Sequence, residues 1–244
     1  MSVYQSLVDA ISRGKAHLTL IDPDEQEPRV AGEMAYRVQQ AGTDGIMIGG
    51  STADDPTVVE RTVVEIKKRC AIPTILFPGG PTGLTGKADA IFYISLLNSK
   101  DPYFITGAHA ETARLIKSLG IEVIPVGYIV VEPGQTVGRM GKARLIPRDK
   151  PEAACSYALV AEFFGMKLVY LEAGSGAYSH VPEDMVSAVK SSLTIPLIVG
   201  GGIRTVEDAR QVLSSGADVI VQGTAVEEEG ASVMAEVIRF VKSF

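Results

Sequence analysis

Eight short apolar runs recur along the chain, at residues 16–21, 45–48, 74–77, 90–96, 122–130, 168–171, 197–199 and 219–221. Helical patterns fill most of the spaces between them. That alternation constrains the fold strongly, because neighbouring parallel strands can be joined only by long crossovers. Several runs are apolar at every position, as strands buried on both faces must be. Eight βα units in 244 residues fit a (β/α)₈ TIM barrel, whose usual length is about 250 residues. No linker or composition break interrupts them, so residues 1–244 are expected to form a single domain. With 46% hydrophobic and 21% charged residues, the chain can fill such a core and is not disordered.

The helices are readable between the strands. Val59, Val63 and Ile66 repeat at helical spacing. Thr205 reads as an N-cap with Asp208 three residues on, ahead of Ala209, Val212 and Leu213. Val233, Val237, Phe240, Val241 and Phe244 predict an apolar stripe on a closing helix. One crossover departs from the pattern. Residues 78–89 hold four glycines and two prolines, which a helix does not tolerate. The third helix of the barrel is expected to be replaced by this Gly/Pro-rich loop, which reads either as opening a lateral groove in the wall or as a local deletion without function. Residues 132–148 read as a second irregular stretch, of the length that lids and binding loops have.

The net charge of −6 argues against a nucleic-acid binder held by phosphate contacts. Cys70 and Cys155 fall in predicted helices without metal-ligand spacing and read as buried thiols of a reducing cytosol. Asp9, Arg13, Lys15 and His17 interrupt residues 1–20, unlike a signal peptide. The longest apolar or glycine run, about ten residues near 123–131, is half the length needed to span a bilayer. A cytoplasmic protein is expected.

Chemistry concentrates at the strand ends, where barrels of this kind build their sites. Gly200-Gly201-Gly202-Ile203-Arg204 follows the seventh run and Gly223-Thr224-Ala225 the eighth. Glycines let backbone N–H groups turn toward an anion, and a helix start behind each loop adds positive charge. A phosphate cup is expected there, with Gly174-Ser175-Gly176 after the sixth run as its third wall. Asp22 ends the first run and Ser51 follows the second; a carboxylate and a hydroxyl, with waters and substrate oxygens, suit Mg²⁺. Asp22 reads equally well as the cap of a turn through Pro23, and Asp24 as a helix-start residue. Glu172 follows an apolar strand, where partial desolvation would raise its pKa toward that of a general base; its other reading is to hold the glycine loop by accepting N–H bonds. Tyr170 alternates with Leu171 and is expected beside Glu172 only if the strand kinks, leaving Tyr170 as a substrate contact. His17 reads as a strand residue and His109 as a helix-face residue; with His180 they show no metal spacing. Arg139, Lys142, Arg144 and Arg148 read as a solvated loop, with contact to a neighbouring subunit or a diphosphate as the other reading.

Together, residues 17–24 (His-Leu-Thr-Leu-Ile-Asp-Pro-Asp), 48–51 (Ile-Gly-Gly-Ser), 77–79 (Phe-Pro-Gly), 170–176 (Tyr-Leu-Glu-Ala-Gly-Ser-Gly) and 199–204 (Val-Gly-Gly-Gly-Ile-Arg) resemble the geranylgeranylglyceryl phosphate synthase family over essentially the whole chain. Leu20-Ile21 before Asp22, with no lysine, resembles its second archaeal group; bacterial heptaprenylglyceryl phosphate synthases are related. The resemblance implies a prenyltransferase that joins the C3 hydroxyl of sn-glycerol 1-phosphate to geranylgeranyl diphosphate in archaeal lipid synthesis, with Mg²⁺. It implies that Asp22 and Ser51 hold the metal. Glycerol phosphate would contact Tyr170, Leu171, Glu172, Ala173, Gly174, Ser175, Gly176, Gly201, Gly202, Gly223 and Thr224, and Glu172 would orient or deprotonate the attacking hydroxyl. The prenyl tail would lie in the opened groove, near Ile91, Phe92, Tyr93, Tyr103 and Phe104, several of which also read as ordinary core. A homo-oligomer, dimer or hexamer, is implied. The competing reading is a phosphosugar isomerase or lyase with the same cup, Asp22 and Glu172 serving as its acid/base pair. A barrel that senses a phosphometabolite without turnover is the non-enzymatic one.

Overall fold

The computed structural model describes residues 1–50, 55–223 and 231–244. Eight parallel strands close into a barrel in chain order: β1 (Ala16–Ile21), β2 (Gly45–Ile48), β3 (Thr74–Leu76), β4 (Ala90–Leu96), β5 (Glu122–Val130), β6 (Leu168–Glu172), β7 (Leu197–Gly200) and β8 (Val219–Gln222). β8 returns to β1, with His17 opposite Ile220 and Thr19 opposite Gln222. The TIM-barrel expectation is met. β6, β7 and β8 each run one residue further than expected, so Glu172, Gly200 and Gln222 belong to the strands.

Among the described residues the helices are α1 (Val3–Arg13), α2 (Pro28–Ala41), α3 (Pro56–Lys67), α4 (Ala108–Leu119), α5 (Gln135–Met140), α6 (Pro151–Phe163), α7 (Glu183–Ser192), α8 (Val206–Ser214) and α9 (Ala231–Ser243). No helix joins β3 to β4, where the glycines and prolines of residues 78–89 stand. A π-helical turn, Tyr103–Gly107, leads into α4 instead. α8 starts on the expected box: Thr205 Oγ1 accepts from Asp208 N at 3.1 Å, and Asp208 Oδ2 accepts from Thr205 N at 2.8 Å. No helix among the described residues is long and apolar enough to cross a membrane.

Strand alternation divides the core into an inner and an outer layer. Leu168 and Tyr170 of β6 point into the barrel, with Phe92, Ile124 and Ile198. Val169 and Leu171 point outward onto α6 and α7. Glu172 therefore shares the inner side with Tyr170 by regular pleating, and no kink is needed, contrary to the expectation. α1 plugs the barrel floor: Val3, Leu7 and Ala10 are buried in the inner cluster. The Glu122 carboxylate anchors it by accepting from Val3 N and, at 3.1 Å, Tyr4 N, a favourable charge at a helix N-terminus.

Four local expectations are corrected. Residues 132–148 are not wholly irregular, because they contain α5, six residues too few to show a helical stripe. Cys70 lies past the end of α3, and Cys155, on α6, is only half-buried. On α9 the buried face is Met234, Val237, Ile238 and Val241, while Phe244 lies beyond the helix and is exposed. Asp24 sits in an exposed turn, four residues before α2.

Candidate active site

A cavity of about 490 Å³ opens at the C-terminal ends of the strands. One end is polar, the other aromatic and aliphatic.

Glu172 stands at the junction. It is 6% exposed. Its Oε1 accepts from Gly174 N at 2.7 Å, and the Tyr128 and Tyr170 hydroxyls donate to its carboxylate. Burial raises its pKa above the ordinary carboxylate value; those three hydrogen bonds favour the charged form and oppose the rise. Both tyrosines are held neutral, their pKa values lifted well above normal chiefly by burial and also by the Glu172 charge. The loop-holding reading of Glu172 is thus realised; its second carboxylate oxygen, Oε2, and the Tyr170 hydroxyl both lie beside Gly200, and the residue stands on the cavity wall.

The glycines around Glu172 make room for it. A Cβ on Gly200 would stand 2.9 Å from Tyr170 Cε2, and one on Gly201 2.6 Å from Gly174 N and closer still to Glu172 Oε1. Gly201 also has φ of +80°, a region costly for other residues. Ser175, Gly176, Gly201, Gly202 and Gly223 all line the polar end. Arg204 joins them, its Nη2 donating to Gly176 O at 3.3 Å. It is the sole lysine or arginine among the described lining residues. Leu171 and Ala173 are different: their side chains sit in the outer core. The backbone of Ala173 is spent on Gly200 O and Gly134 N. Thr224 lies outside the described residues.

Asp22 follows β1, half-buried on the cavity wall. Its Oδ1 accepts from Asp24 N at 3.1 Å, so the turn-cap reading holds. The carboxylate packs against Gly50, where a Cβ would lie 2.6 Å from Asp22 Cγ. Burial is the main cause of its raised pKa, helped by the Asp24 and Glu25 charges and opposed by the Asp24 N–H. Glu25 also lines the cavity. Ser51 lies outside the described residues. Among the described residues no cluster of three or more His, Cys, Asp or Glu could hold a metal by protein ligands alone. A cation here would rest on Asp22 and complete its shell with water and substrate oxygens, as Mg²⁺ does.

The apolar end begins at an aromatic trio. Phe77 stacks on Tyr170 with ring centres 5.9 Å apart, and Tyr128 meets Tyr170 edge-on at 4.9 Å. From there the cavity runs under the gap left by the missing helix, past Ile91, Phe92, Tyr93, Tyr103 and Phe104 to Ile116. Ile91 and Phe92 are fully buried, so they serve as core as well. The basic residues after β5 do not line the cavity. Lys142 pairs with Asp101 at 2.7 Å, and Arg148 donates to Glu132 O and His180 O. His180 Nε2 lies 3.0 Å from Gln211 Oε1. Arg204, Gln222 and Glu25 join the site beyond the residues the sequence marks; Arg204 directly follows Gly200-Gly201-Gly202-Ile203, and that adjacency is its signal in the sequence.

The chain matches the PcrB family over residues 9–241. It is 53% identical over 227 residues to geranylgeranylglyceryl phosphate synthase of Methanothermobacter marburgensis, covering 93% of this chain and 92% of that one. It is 51% identical over 223 residues to the same-named protein of Thermococcus sibiricus, covering 91% and 88%. The (S)-3-O-geranylgeranylglyceryl phosphate synthase of Thermoplasma acidophilum, solved in complex with its substrate sn-glycerol-1-phosphate, superposes with a TM-score of 0.97 over the full length of both chains at 43% identity. The chain belongs to the PcrB family, with the geranylgeranylglyceryl phosphate synthases.

Proposed function

We propose that this protein joins the C3 hydroxyl of sn-glycerol 1-phosphate to geranylgeranyl diphosphate, forming an ether and releasing diphosphate for archaeal membrane lipids. The observation that carries this is the two-ended cavity, with a glycine-lined anion cup beside a buried carboxylate and an apolar groove continuing from it. The relative crystallised with sn-glycerol-1-phosphate shares the fold closely.

The cup's N–H groups and Arg204 hold the phosphate. This fixes the C3 hydroxyl near Glu172. The prenyl tail lies in the groove under the β3–β4 gap, its diphosphate toward Asp22. The allylic C–O bond breaks toward the diphosphate while the C3 oxygen bonds the allylic carbon. Glu172 takes the hydroxyl proton. Positive charge developing on the allylic carbon faces the Phe77, Tyr128 and Tyr170 rings. Asp22 fits Mg²⁺ as one ligand of a largely water- and substrate-bound ion, and such an ion would supply charge to stabilise the leaving diphosphate. Assembly as a homo-oligomer is part of the same reading.

The test is turnover of radiolabelled sn-glycerol 1-phosphate with Mg²⁺ and prenyl diphosphates from C10 to C35. Organic-extractable product, best with C20, is expected. No product with any donor would overturn the synthase reading and return the phosphosugar isomerase or lyase.

A further inference from the structure

His17 takes no part in the chemistry above, yet it is fully buried in a polar chain that ends in the cup. Its Nδ1 lies 3.0 Å from Thr43 Oγ1 and its Nε2 3.0 Å from Gln222 Oε1. Gln222 is 2% exposed and lines the cavity. Its amide nitrogen donates to Ile203 O at 3.1 Å. Ile203 O can only accept, which fixes the amide nitrogen on that side; the Gln222 oxygen therefore faces the imidazole as an acceptor, and His17 presents N–H at Nε2. Nδ1 then faces the Thr43 hydroxyl as an acceptor and shares that hydroxyl's proton with His17 O, which lies 3.0 Å from the same oxygen. Gln222 immediately precedes Gly223, and Ile203 immediately follows Gly202. One amide thus ties together the loops after β7 and β8, and one imidazole fixes that amide's orientation.

We infer that His17 is a positioning residue for glycerol phosphate: through Gln222 it sets the spacing of the two glycine loops that receive the phosphate. This rests on reading the cup as the glycerol phosphate site. A purely structural role would make every loss at His17 cost stability and, through stability alone, activity. A positioning role distinguishes the two ring nitrogens.

His17→Asn places its amide near Nδ1, keeping Thr43 within reach and losing Gln222. His17→Gln reaches the Nε2 position and keeps Gln222. His17→Asn is expected to raise KM and Kd for sn-glycerol 1-phosphate about tenfold, the scale of one lost neutral hydrogen bond, with KM for the prenyl diphosphate unchanged. His17→Gln is expected to return both constants close to wild type. Should His17→Asn fail to fold, Gln222→Asn, whose shorter amide cannot span His17 and Ile203, is expected to show the same tenfold rise. Equal glycerol phosphate constants in the Asn and Gln variants, or constants that follow Tm, would overturn the inference. Calorimetric Kd keeps the two readings separable. A wild type that binds glycerol phosphate without turnover overturns the synthase reading alone, and one that does not bind it overturns both.

Discussion

Gly201→Ala tests whether the geometry around Glu172 is as tight as the structure shows. The substitution adds one methyl group, 2.6 Å from Gly174 N and 2.8 Å from Gly174 O, and nearer still to Glu172 Oε1. No flexible side-chain end is available to yield except the carboxylate itself, which holds Gly174 N at 2.7 Å. The methyl must therefore break that hydrogen bond. Losing a bond to a charged acceptor costs about 1.5–3 kcal/mol, and an alanine at φ +80° costs about 1–2 kcal/mol more. Together about 3–5 kcal/mol is expected, a fall in Tm of about 10 °C for a domain of this size. Because Glu172 moves, kcat is expected to fall by about 10². Gly165→Ala is the matched control: φ is +77°, nothing stands within 4 Å of the added Cβ, and the residue does not line the cavity. It carries the backbone cost alone, about 1–2 kcal/mol, and should leave kcat near wild type. Thermal melts and steady-state kinetics on both variants decide it. Equal losses in the two would refute the claim that packing against Glu172, and not backbone strain, makes Gly201 necessary.

Acid should weaken the fold through His17. Burial lowers its pKa from 6.5 to about 4, so below pH 6.5 the unfolded chain takes up a proton that the folded chain refuses. The His17 contribution is whole above pH 6.5 and falls away down to about pH 4, by about 3 kcal/mol; urea titrations at pH 7.5 and 4.5 should show this loss, and its persistence in His17→Gln would contradict the assignment. Asp22→Ala is expected to lower kcat/KM at least about 10²-fold while leaving glycerol phosphate binding intact; an unchanged Mg²⁺ titration curve would remove Asp22 as a ligand. Arg204→Ala should raise KM for glycerol phosphate about 10- to 100-fold, the range for a charged hydrogen bond, and a KM unchanged from wild type would place Arg204 outside the cup.

Much of the barrel is legible because its strands are buried on both faces, which writes them as apolar runs. The β3–β4 gap is equally plain, since four glycines and two prolines in residues 78–89 exclude a helix by backbone chemistry alone. Other features depend on what the chain meets when the barrel closes. Six-residue α5 contains Gly138 and is too short for periodicity. α1 is amphipathic, but nothing local says that Val3, Leu7 and Ala10 will close the barrel floor. Glu172 was legible as a strand-end carboxylate, whereas its tyrosine partners are set by the registration of β5 on β6, which puts Tyr128 opposite Tyr170. Gln222 reads as the polar end of an apolar strand; only the return of β8 to β1 brings it to His17.

The central claim is that Glu172 takes the proton from a glycerol phosphate held in the cup. Glu172→Gln keeps the size and an oxygen able to accept from Gly174 N, and removes the base. Calorimetry with sn-glycerol 1-phosphate and turnover with a saturating prenyl diphosphate should be measured on the same preparation. The expected result is a Kd near wild type with kcat reduced about 10²- to 10⁴-fold. Near-normal kcat, or a loss confined to KM, would contradict it.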